Sequence, residues 1–184
     1  MTSAAPARRV EATEEEVEHW VQRKRELAAS GEKVFTVENL HAYQLDEAET
    51  WELITAGKGC TLSWVAEDGS PGGTYVKHAV LNGAAYLLLL DGDEAIPALR
   101  RDSRVSVVFD GGDGIGAVTV RGTVEFVDDL PSLVRVVLAV GRRDGLSEEL
   151  LAERVRAAVP GNEYVARLNP EGFVTFSHKK IVRG

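Results

Sequence analysis

Between Cys60 and Val127 short β-type runs alternate with turn dipeptides, and this alternation limits the fold more than any other feature of the chain. Cys60–Ala66 (CTLSWVA) is closed by Glu67-Asp68-Gly69-Ser70-Pro71-Gly72, which holds Asp-Gly and Pro-Gly turn signals. Gly73–Leu81 follows as a strand. Asn82-Gly83 supplies the chemistry of a type I′ turn, in which both central residues take positive φ. Ala84–Leu90 returns with four consecutive leucines at 87–90, a pattern of burial on both faces. Ser103–Asp110 and Ala117–Val127 add two strands, joined through Gly111–Gly116. Tyr164–Leu168 and Phe173–Ser177 read as two more. A meander of six or seven strands exposes two edges unless it closes, and a closed barrel removes them.

Helices flank the meander. Thr13 and Glu16 have capping-box spacing, and Val17, Trp20, Val21, Lys24, Leu27 and Ala28 follow at helical spacing up to Gly31. That stripe reads as a packing face. Asp46 caps a second helix that runs to Ala56 and is stopped by Gly57. Glu94–Arg101 is a short helix that tolerates Pro97 in its first turn. Leu130–Val140 and Ser147–Val159 are helical segments inserted before the last strands. The reading divides the chain into an N-terminal extension, 1–44, and a barrel domain, 45–184.

Composition excludes several functions. The net charge is −8, opposite to the basic surface that phosphate neutralisation demands of a nucleic-acid binder. No apolar run reaches the roughly 20 residues that span a bilayer. The first nine residues lack the apolar stretch of a secretory signal. The single cysteine, Cys60, allows no internal disulfide. The expectation is a cytoplasmic protein with no membrane or nucleic-acid partner. His19, His41, His78 and His178 show no metal spacing. The Gly111–Gly116 run lies between two strands, so it is not a dinucleotide fingerprint, which must open a helix.

Three segments carry a family resemblance: CTLSWVAEDGSPGG (60–73), ALRRDSRVSVVFD (98–110) and VTVRGTVEFVD (118–128), with YVARLNPEGFVTFSHKKI (164–181) after them. In order and spacing they resemble the pyridoxamine-phosphate-oxidase-like split-barrel flavoproteins, including flavin- and deazaflavin-dependent oxidoreductases. The resemblance implies a mainly β split barrel with flanking helices. It also implies a homodimer with ligand grooves between subunits, FMN or a deazaflavin coenzyme as cofactor, and a small-molecule substrate. In flavin-binding relatives a phosphate is gripped by basic residues on the second strand and at the start of the helix that leads into the second of these segments. Those positions fall here at Thr74, Glu94 and Ala95, preceded by Asp93.

The resemblance and the nearby cations together place ligand contact at Thr74, Val76, His78, Arg100, Arg101 and Arg104. Thr74, Val76 and His78 alternate, so they share one strand face, opposite to Lys77. His78 is either a ligand contact or a barrel histidine satisfied by a backbone group. Trp64 either stacks on a planar ligand or packs in the core. Arg121 reads as a cross-strand ion-pair partner, and Gly122 as a point of close approach for a ligand or a second backbone. Two other functions stay open: a binding protein for haem or another planar ligand, and a protein whose acidic Asp91–Glu94 segment meets a cationic substrate.

Overall fold

The computed structural model describes residues 13–31, 43–111, 116–177 and 180. The chain divides into two compact units, Met1–His41 and Ala42–Gly184. Of the first unit, α1 (Glu14–Ser30) is described. Thr13 and Glu16 close its capping box, and Gly31 ends it at φ 71°. None of its described residues is buried.

The second unit begins with α2 (Glu47–Ala56) and continues through β1 (Cys60–Val65), β2 (Pro71–Leu81) and β3 (Ala84–Leu90). Then come α3 (Ala95–Arg101), β4 (Arg104–Asp110), β5 (Gly116–Val127), α4 (Leu130–Arg143), α5 (Glu148–Ala157) and β6 (Glu163–Ser177). The strands form a closed antiparallel barrel in the order β1-β2-β3-β6-β5-β4. Asn82 and Gly83 take φ 52° and 75°, as their turn chemistry requires.

The C-terminal strand corrects the sequence reading. Asn169-Pro170-Glu171-Gly172 looked like a break between two strands, but β6 is continuous through it. Gly122 pairs with Pro170 and Arg121 with Gly172, so Glu171 is the extra residue of a bulge. A bulge accepts proline because it needs no ladder N–H there. Gly122 is required by a second backbone: a Cβ at that position would lie 2.1 Å from the Asn169 carbonyl oxygen.

Two cores result. The barrel interior holds Leu62, Leu87, Leu89, Val107, Phe109, Val118 and Val120, each nearly or fully excluded from solvent. Outside the barrel, Ala79, Leu88 and Val165 pack beneath Leu133, Val136, Val137 and Val140 of α4. The leucine run thus serves both, with Leu87 and Leu89 inward, Leu88 under α4, and Leu90 exposed.

The helices also distinguish the barrel's two ends. At one end β1 and β5 begin while β4 and β6 finish, and α2 packs there against β2, β4 and β5. At the other, Ala95, Ile96, Ala98 and Leu99 of α3 enter the interior core.

Candidate functional site

β1 and β4 close the barrel over only part of their length. Cys60–Ser63 pair with Ser106–Phe109, and the pairing then stops, leaving Trp64 and Val65 apart from Val105 and Arg104. The gap is an open groove of about 290 Å³ lined by Ser63, Trp64, Val65, Arg104, Val105 and Ser106. Arg101 stands beside it, its guanidinium donating to the Val65 carbonyl at 2.8 Å. The Trp64 ring is 7% exposed and packs with the interior core. Gly72 makes room for it, since a Cβ there would meet the indole at 2.4 Å.

The ladder registers align a row of residues outside the barrel, next to this groove. Gly73 is paired with Ser63, Ser63 with Ser106, Ser106 with Arg121, and Arg121 with Gly172. Neighbouring strands lie about 4.8 Å apart, so two hydroxyls and a guanidinium share one band of the sheet, with glycine at each end. The adjacent row runs Tyr75, Thr61, Val108, Thr119 and Val174, all uncharged at neutral pH. Tyr75 is 60% exposed and Val174 58%, large values for apolar side chains on a barrel wall.

Arg121 does not form the ion pair read from the sequence. It is exposed and has no hydrogen-bond or ion-pair partner among the described residues. Arg104 is 78% exposed in its side chain and forks onto Asp102, the shorter contact being 2.6 Å. That fork holds the Asp102 carboxyl down at about 2.

The remaining sequence-named residues are spread over three places. Thr74, Val76 and His78 share one face, and register shows that it is the inner one: Thr74 pairs with Leu62 and Val76 with Cys60. Val76 and His78 are 4% and 0% exposed, while Thr74 is partly exposed toward the split end. The His78 ring meets a backbone group, with Nε2 2.7 Å from the Ile54 carbonyl oxygen. Arg100 lies over the Phe126 and Tyr164 rings, 5.0 and 5.8 Å from their centroids. Arg101 and Arg104 are therefore the members of the set that flank the groove. Ser63 and Ser106 were missed, since single serines in a strand carry no signal until cross-strand register is known. His41, His178 and the interior of the Gly111–Gly116 loop lie outside the described residues.

The family's phosphate positions do not fit a phosphate here. Thr74 faces the barrel interior, Ala95 is 0% exposed, and Glu94 brings a like charge. The Asp93 carboxylate already accepts the Ala95 N–H at 2.9 Å, at the start of α3 where a phosphate would need that donor. Among the described residues no group of three His, Cys, Asp or Glu side chains is placed to hold a metal ion. No described helix is long and apolar enough to cross a membrane.

The family model for pyridoxamine 5'-phosphate oxidase matches residues 46–172, from the N-cap of α2 to the bulge of β6. The chain belongs to the pyridoxamine 5'-phosphate oxidase family. No curated protein matches the sequence significantly. Solved structures share the family's fold. A conserved hypothetical protein of Mycobacterium tuberculosis, Rv2991, is 24% identical over 77% of this chain and 90% of its own, with a TM-score of 0.68. An F420 reductase is 19% identical, covering 71% of this chain and 98% of its own, at 0.54. The haem storage protein HutZ of Vibrio cholerae is 19% identical over 71% and 94%, at 0.55. The mainly β split barrel with flanking helices is thus the fold of the family.

Proposed function

We propose that this family member is a flavin- or deazaflavin-dependent oxidoreductase that works as a homodimer on a small organic substrate. The observation that carries the reading is the split between β1 and β4, an open groove beside cations that the fold leaves exposed. Membership of the oxidase family and likeness to an F420 reductase support the cofactor class.

The anionic end of such a cofactor would be received by Arg104 and Arg121 with the Ser63 and Ser106 hydroxyls, in place of the clamp absent at Thr74, Glu94 and Ala95. Guanidinium groups suit this because their fixed fork binds phosphate oxygens in pairs. When bound, the cofactor would supply the hydride chemistry itself. The chain's own part is to hold the anion, present the uncharged wall around Tyr75 and exclude water. A second copy of the chain over that wall supports the last role, because the Tyr75–Val174 row offers apolar surface and no charge to desolvate.

Titration of the purified protein with FMN, FAD and the deazaflavin coenzyme, followed by fluorescence, tests the reading. Micromolar binding of one of them is expected, weakened roughly tenfold or more by Arg121→Gln, the effect of one charge-assisted contact. Absence of binding by all three rejects it. A second reading, a binder of haem or another planar ligand, is favoured by the Asp93 cap, which removes the family's phosphate position. It predicts a Soret shift on haem addition and no flavin binding.

A further inference from the structure

His78 is fully buried. Its Nε2 donates to the carbonyl oxygen of Ile54, one of the last four carbonyls of α2, which have no partner within the helix. A side chain from inside the barrel therefore holds the C-terminal end of α2. The junction is tight. A Cβ on Gly57 would come within 3.4 Å of His78 Cε1 and 3.1 Å of the Asp110 carbonyl oxygen. The ring packs edge-on against Phe109 at 4.8 Å between centroids, and its Nδ1 is buried with no hydrogen-bond partner.

Around this ring the Ile54 carbonyl favours a charged imidazole, but burial first, and then the Arg143 and Lys77 charges, oppose it and prevail. From α4, Arg143 donates to the carbonyl of His78 itself at 2.6 Å and to that of Lys58 at 2.7 Å. Lys77 is the ring's neighbour on β2. The acid of the cluster, Asp144, is held by Lys77 at 3.0 Å and Arg143 at 3.6 Å. From β1 comes the Cys60 thiol, which burial pushes up to about 12, so it brings no negative charge. β4 presents Phe109 and the Asp110 carbonyl, and α2 presents carbonyls. A proton taken up at Nδ1 would make a buried cation with no acceptor at that nitrogen, in the field of Arg143 and, across β2, of Lys77.

We infer that α2 is an acid-released cover on one end of the barrel, latched by the neutral His78 ring and let go when that ring takes up a proton. The other end of α2 stays anchored. The Leu45 N–H donates to Thr175 Oγ1 at 2.9 Å, and Lys180 pairs with Glu49 at 2.6 Å. The Lys180 bond, more than the Asp46 backbone, keeps the Glu49 carboxyl below its usual range. Release thus begins at Ile54–Gly57 and uncovers the interior beneath Ile54.

Burial, ahead of the Arg143 and Lys77 charges, lowers His78 from 6.5 to about 4 while the ring is latched. The released ring regains its ordinary affinity for protons. Below about 6.5 the open form therefore binds more protons than the closed one, and closure weakens until the latched ring also titrates near 4. The equilibrium for opening rises roughly 30-fold between pH 7.5 and pH 5 on these two values.

Hydrogen exchange at both pH values, corrected for the intrinsic rate and resolved by segment, tests this. The α2 amides are expected to lose protection about 30-fold while the β1–β4 ladder keeps its own. In His78→Gln, whose amide can donate to Ile54 without titrating, the α2 change should fall below twofold. Equal loss in both proteins, or loss of α2 and the ladder together, would overturn the latch. Nitrogen NMR of the wild-type ring tests it without a variant. At pH 5 and above the Nε2-protonated neutral tautomer should persist wherever α2 is protected, and a charged ring beneath a protected α2 in that range would refute the mechanism.

Discussion

The two ends of the barrel solve opposite problems with similar residues. At the α2 end, Arg143 and His78 each donate to backbone carbonyls. At the α3 end the β1–β4 ladder stops at Ser63 and Ser106, and Arg104 and Arg121 stand in solvent. The contrast separates two uses of a cation. Where it satisfies backbone carbonyls at a helix–strand junction, its removal leaves them without that donor and costs stability. Where it is solvated or paired at the surface, it contributes little to the fold and is available to a ligand.

Breaking the closed end should have the largest effect. Phe109→Ala removes a fully buried ring that fills the interior and backs His78, and should destabilise by about 3–5 kcal/mol in urea unfolding. Arg143→Ala withdraws the donor from the His78 and Lys58 carbonyls, and about 2–3 kcal/mol is expected by the same measurement. Acidification gives a smaller change of definite sign. His78 is depressed in the fold, so its contribution is complete above about 6.5 and lost as pH falls toward 4. Wild type should lose about 2 kcal/mol more than His78→Gln between pH 7.5 and pH 5. At the split end, Arg104→Gln and Arg121→Gln should change stability by no more than about 0.5 kcal/mol while lowering ligand affinity. A loss above 1 kcal/mol at Arg121 would erase the contrast between the ends.

Local chemistry made much of the fold legible. The capping box at Thr13, the N-cap at Asp46, the Asn82-Gly83 turn and the alternating β runs each act within a few residues, and each appears where the sequence places it. Alternation also put Thr74, Val76 and His78 on one face. It did not say which face turns inward, because that follows from β2 pairing with β1 and from β1 closing on β4 more than forty residues later. The same distance hid the row of Ser63, Ser106 and Arg121. The strand through Pro170 was misread for a related reason: Pro-Glu-Gly has the composition of a turn, and only Gly122 on the facing strand makes it a bulge. Arg143 gave no signal beyond being a basic residue in the last turn of α4, a common position for one.

The strand order also bears on how the chain comes to be folded during synthesis. β6 leaves the ribosome after the other five barrel strands, yet it lies between β3 and β5 and pairs with both. Until it emerges, β3 and β5 are open edges, and the outer core beneath α4 lacks Val165. Every nascent chain therefore passes through a stage with two open strand edges, the form most exposed to edge-to-edge aggregation and to capture by chaperones. A transcript that terminates anywhere in α5 would hold the protein at that stage.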